Sequence, residues 1–204
     1  GIFMDEWKAL YNSKSGERGL FNRSSAKKQV EKTGRRNVDH EFGTNPCSEI
    51  ILRDREFCNL SEVVIRDSDN LEALKRKVRL ATILGTYQST LTNFRYLSKK
   101  WRENCSEERL LGVSLTGIMD NVLTNGKNGG SLKGLSSQAD SSRGYVKTRE
   151  VLETLKNVAI ETNKEWAEKI GIPQSVSVTC VKPSGTVSQL VDAASGIHAR
   201  HNPY

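Results

Sequence analysis

Apolar residues recur every three or four positions in three stretches of the chain, which is the spacing of a helix that buries one face. These stretches cover residues 2–11, 71–94 and about 148–170. A fourth helix is predicted from Ser106, because acidic residues follow it in what would be the first helical turn. The sequence thus predicts four helices, and the stripe along residues 71–94 is expected to lie in the core.

Polar residues mark where two of these helices begin or end. Asp69 can cap the second helix, and Glu72 three residues later would complete a capping box. Gly171 follows the last helix and suits the left-handed C-cap position, and Pro173 prevents the helix from continuing. These signals predict a helix start just after Asp69 and a helix end just before Gly171.

Shorter apolar runs lie between the helices and are typical of strands. Three extended segments are predicted at residues 49–52, 56–60 and 63–65, around a charged turn. Residues 113–119 form another apolar run, and residues 175–181 alternate between apolar and polar positions. Helices that alternate with short strands indicate an α/β architecture.

Residues 124–143 interrupt this pattern. Eleven of these twenty residues are Gly, Ser or Asn, and only two leucines and one alanine are apolar. Such a composition contributes little to a core, so a flexible loop or insertion is predicted. Residues 1–40 are also polar and rich in turn residues.

The chain is basic, but its charges are mixed. It has 31 Lys and Arg residues against 24 Asp and Glu residues, and its formal net charge is +7. A nucleic-acid surface gathers cations on one face, whereas here basic and acidic residues alternate. No apolar run approaches the ~18 residues of a membrane span, and the first residues do not resemble a signal peptide. We therefore expect a cytoplasmic protein that binds neither membranes nor nucleic acid.

The four cysteines show no metal-ligand spacing, and no metal site is predicted. They form no Cys-x-x-Cys pair, and none is spaced from a histidine as zinc ligands are. Cys105 and Cys180 are interpreted as small buried residues. The three histidines are interpreted as surface or core residues, since no carboxylate or cysteine lies at ligand spacing from them.

The segment Asn45-Pro46-Cys47-Ser48-Glu49 carries the clearest chemical signal. Asn and Pro impose an irregular loop on which the sulfur of Cys47 can be presented to a ligand. Cys47 and Glu49 are two positions apart, so an extended segment places both side chains on one face. A thiol, a carboxylate and an amide that face one pocket suit catalysis. The alternative, on residue type alone, is a small buried cysteine beside a solvated acid.

Two further features extend this candidate site. Cys58 follows Cys47 by eleven residues, after a charged corner that can return the chain to the same loop. Farther on, residues 175–181 lead directly into the turn Pro183–Ser188. A strand followed by small residues leaves backbone N–H groups free to bind a phosphate. Taken alone, such a turn is more typical of an ordinary helix N-cap.

The order and spacing of these motifs resemble the active-site region of ribonucleotide reductases. The matching segments are residues 43–50, 56–63, 78–82, 110–117, 182–186 and 195–198. The resemblance is greatest to the monomeric adenosylcobalamin-dependent (class II) ribonucleoside-triphosphate reductases, over residues 20–123 and 144–204. Ser48 departs from it, because the family commonly has Gly there and a Cβ restricts the backbone.

The resemblance implies a fold and a place in it for this chain. Residues 1–204 would form part of a ten-stranded α/β barrel, with Cys47 on an inner finger loop and residues 124–143 as a flexible insertion. Cys58 would lie near Cys47, with its sulfur facing the same pocket as Glu49. The chain opens inside a helical pattern without an initiator Met, so we expect it to be a segment of a longer protein.

The resemblance also implies roles in reducing a ribonucleotide to a 2′-deoxyribonucleotide. Cys47 matches the cysteine whose thiyl radical takes the 3′ hydrogen, and Glu49 matches the base that accepts the 3′-OH proton. Asn45 matches the amide that holds the ribose hydroxyls. Cys58 matches one of two thiols that supply electrons and become a disulfide, and its partner is expected upstream of this chain. The expected contacts with the substrate phosphates are Ser184, Gly185, Thr186, Val187 and Ser188.

The resemblance implies a cofactor and partners as well. Adenosylcobalamin would supply the radical through homolysis of its cobalt–carbon bond. The expected partners are a ribonucleoside triphosphate substrate, a dithiol reductant such as thioredoxin, and the remainder of the reductase. Three alternatives stay open: a large-subunit segment of a cobalamin-independent reductase or a related radical enzyme, a non-catalytic remnant, and a basic nucleic-acid-binding module.

Overall fold

The computed structural model describes residues 1–15, 19–126 and 141–200, with side chains of the last range from residue 148 onward. Its helices are α1 (Ile2–Ser13), α2 (Arg23–Thr33), α3 (Leu71–Gln88), α4 (Lys99–Glu108), α5 (Ser141–Ile170) and α6 (Gly185–Leu190). Its strands are β1 (Phe42–Thr44), β2 (Ile51–Arg53), β3 (Asn59–Val64) and β4 (Leu111–Thr116). A short 3₁₀ helix spans Ile118–Asp120. This mixed content confirms the predicted α/β class.

Strands β3 and β4 form a parallel pair at the centre of the described structure. Asn59 is level with Leu111 at one end, and Val64 is level with Thr116 at the other. Parallel strands need a long crossover, and here the crossover contains α3 and α4.

Residues 175–181 extend beside β4, as the alternating pattern predicts. Thr179 forms a parallel bridge with Val113. The pairing is irregular, because the N–H groups of Leu111 and Val113 donate to consecutive carbonyls, those of Ser177 and Val178, at 2.9 Å each. A regular parallel ladder would use alternate carbonyls. The segment is therefore held against β4 without being a continuous strand.

The β3–β4 pair has two different faces, because side chains alternate along each strand. One face packs against α3 and α5 and forms the hydrophobic core. The buried core residues are Val63, Ile65, Leu74, Val78, Leu111, Val113, Leu155, Ala159 and Val178. The opposite face carries small and polar side chains, and we call it the inner face. It is defined by Cys58, Glu62, Gly112, Ser114 and Cys180.

Strands β1 and β2 form an antiparallel hairpin that carries the Cys47 loop. Phe42 pairs with Arg53 at the base of the hairpin, and Thr44 pairs with Ile51 next to the loop. Phe42 is buried, and the Arg36 guanidinium lies 4.7 Å from the centre of its ring. The base of the hairpin is thus anchored to the rest of the structure.

The predicted apolar stripe along residues 71–94 is core only in part. Leu74 and Val78 are buried in the core, whereas Leu84 is 64% exposed and Leu91 is 70% exposed. The helix also ends at Gln88, earlier than predicted, and successive turns follow it. The periodicity located the helix correctly, but its second half has an apolar side without a partner among the described residues.

The predicted cap of α3 is off by one residue. Asn70, not Asp69, is the N-cap, and its Oδ1 accepts the N–H of Ala73 at 2.9 Å. The Asp69 carboxylate is used elsewhere, since it accepts the Arg66 N–H at 2.8 Å and binds Lys77 Nζ at 2.5 Å.

The prediction for α4 is wrong in position. The helix begins at Lys99, and Ser106 lies in its last turn instead of its first. Contacts that the sequence does not display fix its place. Asn104 Nδ2 donates to the Asp54 carbonyl at 2.6 Å, and Glu108 is buried at the end of the helix.

Helix α2 was not predicted, because its sequence is almost entirely polar. Asn22 caps it by accepting the N–H of Ser25 at 2.9 Å, and Gly34 ends it with a left-handed φ of 62°. Ala26 and Val30, four residues apart, are its buried side chains. Two small apolar residues on one face are too weak a periodic signal.

The predicted flexible segment 124–143 is corrected at one end, since α5 begins at Ser141. Residues 127–140 lie outside the described residues. The other end of α5 agrees with the prediction: the helix stops at Ile170, and Gly171 has a φ of 75°.

The described strands form two separate two-stranded sheets, so the ten-stranded barrel stays a prediction. Within the described ranges, none of the helices combines the length and apolar character that a membrane crossing requires.

Candidate active site

The Cys47 loop is a tight turn between β1 and β2. The N–H of Ser48 donates to the carbonyl of Asn45 at 3.0 Å, and Ser48 has a φ of 62°, in the left-handed region. This turn leaves Cys47 exposed to solvent. A left-handed backbone favours Gly, which is the residue that the resemblance to ribonucleotide reductases implies at position 48.

Asn45 holds the loop closed with its side chain. Its Oδ1 accepts the N–H of Ile50 at 3.0 Å, and its backbone N–H donates to the carbonyl of Ile50 at 3.3 Å. Thr44 Oγ1 donates to the same carbonyl at 3.0 Å. Because the loop occupies the carbonyl oxygen of the amide, the NH₂ group of Asn45 is the part able to donate to a ligand hydroxyl.

Glu49 is half-buried and has one oxygen without a partner. Its Oε2 is buried and forms no hydrogen bond with any described residue. Burial raises the pKa of both Cys58 and Cys180, and the negative charge of Glu49 adds to each of these shifts. A buried carboxylate oxygen gains free energy from a hydrogen-bond donor, and a ligand hydroxyl would supply one.

The thiols of Cys58 and Cys180 both lie beside Gly112 on the inner face. A Cβ placed on Gly112 would lie 3.0 Å from Cys58 Sγ and 3.1 Å from Cys180 Sγ. Burial raises the pKa of Cys180 to about 12 and raises that of Cys58 as well. Both groups are therefore thiols, not thiolates, at neutral pH.

The interpretation of Cys180 as an ordinary buried residue is corrected. Cys180 is only partly buried, and it belongs to the inner face beside Ser114. The signal that would have revealed it is its position just before the Pro183–Ser188 turn, in a segment paired to β4. Cys105, in contrast, is buried as expected.

The Pro183–Ser188 turn presents two different sides. Ser184 and Ser188 are buried, and their hydroxyls are engaged internally, with Glu62 and with Ser195 Oγ at 2.6 Å respectively. Gly185 and Thr186 are exposed. Helix α6 begins at Gly185, directly after Ser184.

The inner face connects the cysteine region with this turn. Cys58 directly precedes β3, and Glu62, four residues farther along, binds Ser184. At the rise of an extended strand, four residues correspond to roughly 13 Å. A nucleotide whose ribose lay near Cys58 could reach the turn with its phosphates.

A cluster of buried ionisable side chains holds the Cys47 hairpin, and no sequence pattern predicts it. Arg36 binds Glu56 Oε2 at 3.0 Å and both oxygens of Glu108, and its Nη1 donates to the Ile51 carbonyl at 2.6 Å. The three charged side chains are at most 4% exposed. Burial, together with Glu108, raises the pKa of Glu56 to about 8.

The part of the chain with described side chains contains no group of three His, Cys, Asp or Glu residues arranged to hold a metal ion. His40 lies edge-on to Phe42, with ring centres 6.3 Å apart, which agrees with its interpretation as a surface or core residue.

Comparison with known proteins identifies adenosylcobalamin-dependent reductases among the relatives of this chain. The chain is 31% identical over 175 residues to an adenosylcobalamin-dependent ribonucleoside-triphosphate reductase of Lactobacillus acidophilus, covering 81% of this chain and 23% of that protein. It is 28% identical over 203 residues to the same kind of reductase from Lactobacillus leichmannii, covering 93% of this chain and 27% of that protein. No protein-family model matches the chain.

The fold has a solved counterpart. A crystal structure of a B12-dependent (class II) ribonucleotide reductase superposes with a TM-score of 0.58 and 25% sequence identity, over 78% of this chain and 23% of that one. The chain thus spans about a quarter of the length of the relatives that it matches.

Proposed function

We propose that this chain, which in sequence and fold matches one segment of the class II ribonucleotide reductases, carries the active-site loop and the phosphate loop of such an enzyme. The reaction would reduce a ribonucleoside triphosphate to the 2′-deoxyribonucleotide and supply precursors for DNA synthesis. The observation that carries the proposal is the geometry around Glu49. Glu49 has a buried oxygen without a hydrogen-bond partner among the described residues, and it follows the exposed thiol of Cys47 by two residues.

Cys47 would act as the radical relay and Glu49 as the base. A thiyl radical at Cys47 would take the hydrogen from C3′ of the ribose, and Glu49 would accept the proton of the 3′-OH. Loss of the 2′-OH as water then becomes feasible at the neighbouring carbon. The NH₂ group of Asn45 would orient the ribose hydroxyls, since its carbonyl oxygen is occupied by the loop.

Cys58 would supply reducing equivalents together with a second thiol outside this chain. Burial raises the pKa of Cys58, so the group is held as S–H and can donate hydrogen. Two thiols that each lose one hydrogen become a disulfide, and the substrate gains the two electrons and two protons that its reduction requires. A dithiol such as thioredoxin would restore the thiols.

The Pro183–Ser188 turn would hold the substrate phosphates. Among the expected contacts, Gly185 and Thr186 are exposed and offer backbone N–H groups, as does the half-buried Val187. Ser184 and Ser188 would contribute backbone groups instead of their hydroxyls, which have internal partners. Lys182, just before the turn, adds a positive charge that suits a triphosphate.

Adenosylcobalamin would supply the unpaired electron, as the names of the relatives imply. The exposed thiol of Cys47 fits this requirement, because a cofactor held by other parts of the enzyme must be able to reach it. The ten-stranded barrel, the cytoplasmic location and a union with the remaining reductase segments belong to the same proposal.

The protein expressed from its complete gene tests the proposal. It should convert a ribonucleoside triphosphate to the deoxyribonucleotide when adenosylcobalamin and a dithiol are present. Cys47→Ser should abolish turnover and leave nucleotide binding intact, because a hydroxyl O–H bond is too strong to serve as the relay. Cys105→Ser is the matched control, since Cys105 is buried within α4.

Three results would count against the proposal. Substantial turnover by Cys47→Ser would make Cys47 a structural residue. Turnover that needs a second radical-carrying protein and no cobalamin would place the chain with the cobalamin-independent reductases. Salt-sensitive DNA binding without any reductase activity would favour the nucleic-acid-binding alternative.

A further inference from the structure

Glu62 lies directly beneath the Pro183–Ser188 turn. Its side chain is 9% exposed, and its Oε1 accepts a hydrogen bond from Ser184 Oγ. Its Oε2 lies 3.9 Å from Lys182 Nζ and forms no hydrogen bond with any described residue. A buried carboxylate of β3 is thus in contact with two successive parts of the turn region.

Ser184 needs such a contact because of its backbone conformation. Its φ of 56° and ψ of 41° are left-handed, which costs free energy for any residue other than Gly. Ser184 is 2% exposed, and its hydroxyl bonds to Glu62, a residue 122 positions earlier in the chain. The hydrogen bond to Glu62 of β3 therefore stabilises the left-handed backbone of Ser184 at the start of the turn.

The carboxylate does not obstruct an anion on the other side of the turn. Gly185 and Thr186 face solvent, whereas Glu62 is buried under the turn. Lys182 is 30% exposed and forms an ion pair with Glu62 at 3.9 Å without a hydrogen bond, so the exposed part of its side chain can also meet an anion. One side of the turn is thus fixed by Glu62, and the other is available to phosphate.

We propose that Glu62 is the positioning residue of the phosphate turn: its hydrogen bond to Ser184 holds the turn in the left-handed conformation that presents the backbone N–H groups to phosphate. The inference rests on the proposed function for the identity of the phosphate ligand. It assigns to Glu62 no contact with the substrate and no part in the chemical steps.

Binding measurements on the complete gene product, without adenosylcobalamin and reductant, test this role. The ligands are a ribonucleoside triphosphate and the corresponding nucleoside without phosphates. Glu62→Ala should weaken binding of the triphosphate about tenfold and leave nucleoside binding unchanged, because only the phosphates meet the turn. Glu62→Gln should bind the triphosphate at least as tightly as the wild type, since glutamine still accepts from Ser184 and adds no negative charge. Glu72→Ala, on the exposed side of α3, is the matched control.

The inference is overturned if Glu62→Ala binds the triphosphate like the wild type, or if Glu62→Gln weakens binding as much as Glu62→Ala does. It is also overturned if Glu62→Ala weakens nucleoside binding as much as triphosphate binding. Should Glu62→Ala fail to fold, Ser184→Ala and Ser184→Gly replace it. Both remove the hydrogen bond, but Gly adopts the left-handed conformation without cost, so Ala should weaken binding more than Gly does. Equal losses would overturn the inference. A wild-type protein that binds the triphosphate without reducing it would contradict the proposed function alone.

Discussion

Arg36 Nη2 lies 3.0 Å from Glu56 Oε2, and both side chains are almost completely buried. The same guanidinium binds Glu108 at the end of α4 and the carbonyl of Ile51 in β2. It therefore connects the segment before β1, the Cys47 hairpin and α4. In the proposed function, a fixed hairpin would keep the sulfur of Cys47 close to one hydrogen of the substrate.

Loss of the Arg36 side chain should destabilise the protein strongly. Arg36→Ala would remove the hydrogen bonds to the buried carboxyl groups of Glu56 and Glu108 and leave Arg53, 3.8 Å from Glu108, as the remaining cation, at a cost of about 3 kcal/mol in the free energy of unfolding. Arg36→Lys should recover only part of this, since an ammonium cannot reproduce the forked contacts. Urea unfolding of the two variants and of the exposed-site control Arg149→Ala checks the prediction. A loss below about 1 kcal/mol for Arg36→Ala would show that the cluster contributes little.

Glu56 should make stability depend on pH. Its pKa is raised from 4.5 to about 8 by burial, so the folded protein holds a proton that the unfolded chain releases between these values. The stabilisation is complete below the unfolded pKa and is lost as the pH rises toward 8, by at most ~1.4 kcal/mol per pH unit. Unfolding measured across this range should show the decline for the wild type and a flatter profile for Glu56→Gln. Equal slopes for the two proteins would contradict it.

Short sequence motifs identify the candidate site residues, but they do not reveal the contacts that hold these residues in place. The loop with Cys47 and Glu49, the later Cys58 and the turn at Pro183 are local motifs, and residue types at short spacing display them. The supports are contacts between distant residues, such as Arg36 with Glu108 and Glu62 with Ser184, separated by 72 and 122 positions. No periodicity encodes such pairs, because each partner alone resembles a surface charge.

The same limit explains the errors in the helices. Helix α4 was placed too late because its acidic residues suggested a first turn, whereas buried contacts of Asn104 and Glu108 determine where it lies. Helix α2 was not predicted because it has few apolar residues. Helix α5 was predicted well over its second half, where apolar spacing and a terminal glycine agree.

Gly112→Ala should disturb both inner-face thiols. The added methyl group would lie 3.0 Å from Cys58 Sγ and 3.1 Å from Cys180 Sγ and would also collide with Leu60, so the sulfurs must move. The sulfurs must shift by a few tenths of an ångström, so we expect a several-fold loss of turnover with little change in nucleotide affinity, since misplacing a reacting group by about 1 Å costs up to 100-fold. Gly19→Ala is the control, since no atom of the other described residues lies within 4 Å of a Cβ placed on Gly19, apart from its chain neighbours. Unchanged turnover would mean that the positions of these thiols do not matter.

Ser48→Gly should stabilise the Cys47 loop. Ser48 has a φ of 62°, and a left-handed conformation costs about 1–2 kcal/mol for a residue with a Cβ. Glycine removes this cost but adds freedom to the unfolded chain, so a net gain of roughly 0.5–1 kcal/mol is expected. Ser48→Val, which is β-branched, should destabilise instead. Thermal unfolding of both variants decides the matter, and a loss of stability in Ser48→Gly would contradict the strain argument.

Cys58→Ser separates a redox thiol from a structural one. As a structural change it would cost roughly 1–3 kcal/mol in stability and leave the chemistry alone. As a change in the electron source it should permit radical formation and attack on the substrate, but leave the intermediate without its electrons. We therefore expect rapid inactivation, with release of the nucleobase instead of deoxyribonucleotide. Chromatography of the products measures both.

Cys180→Ser is the matched control for this experiment, because the sulfur of Cys180 also lies beside Gly112. The two substitutions disturb the inner face in a similar way, so a difference between them reflects chemistry and not packing. Cys180→Ser should continue to turn over, while Cys58→Ser should release base and stop. If Cys58→Ser turns over at the wild-type rate with an external dithiol, Cys58 is not the electron donor, and the role assigned to it is wrong.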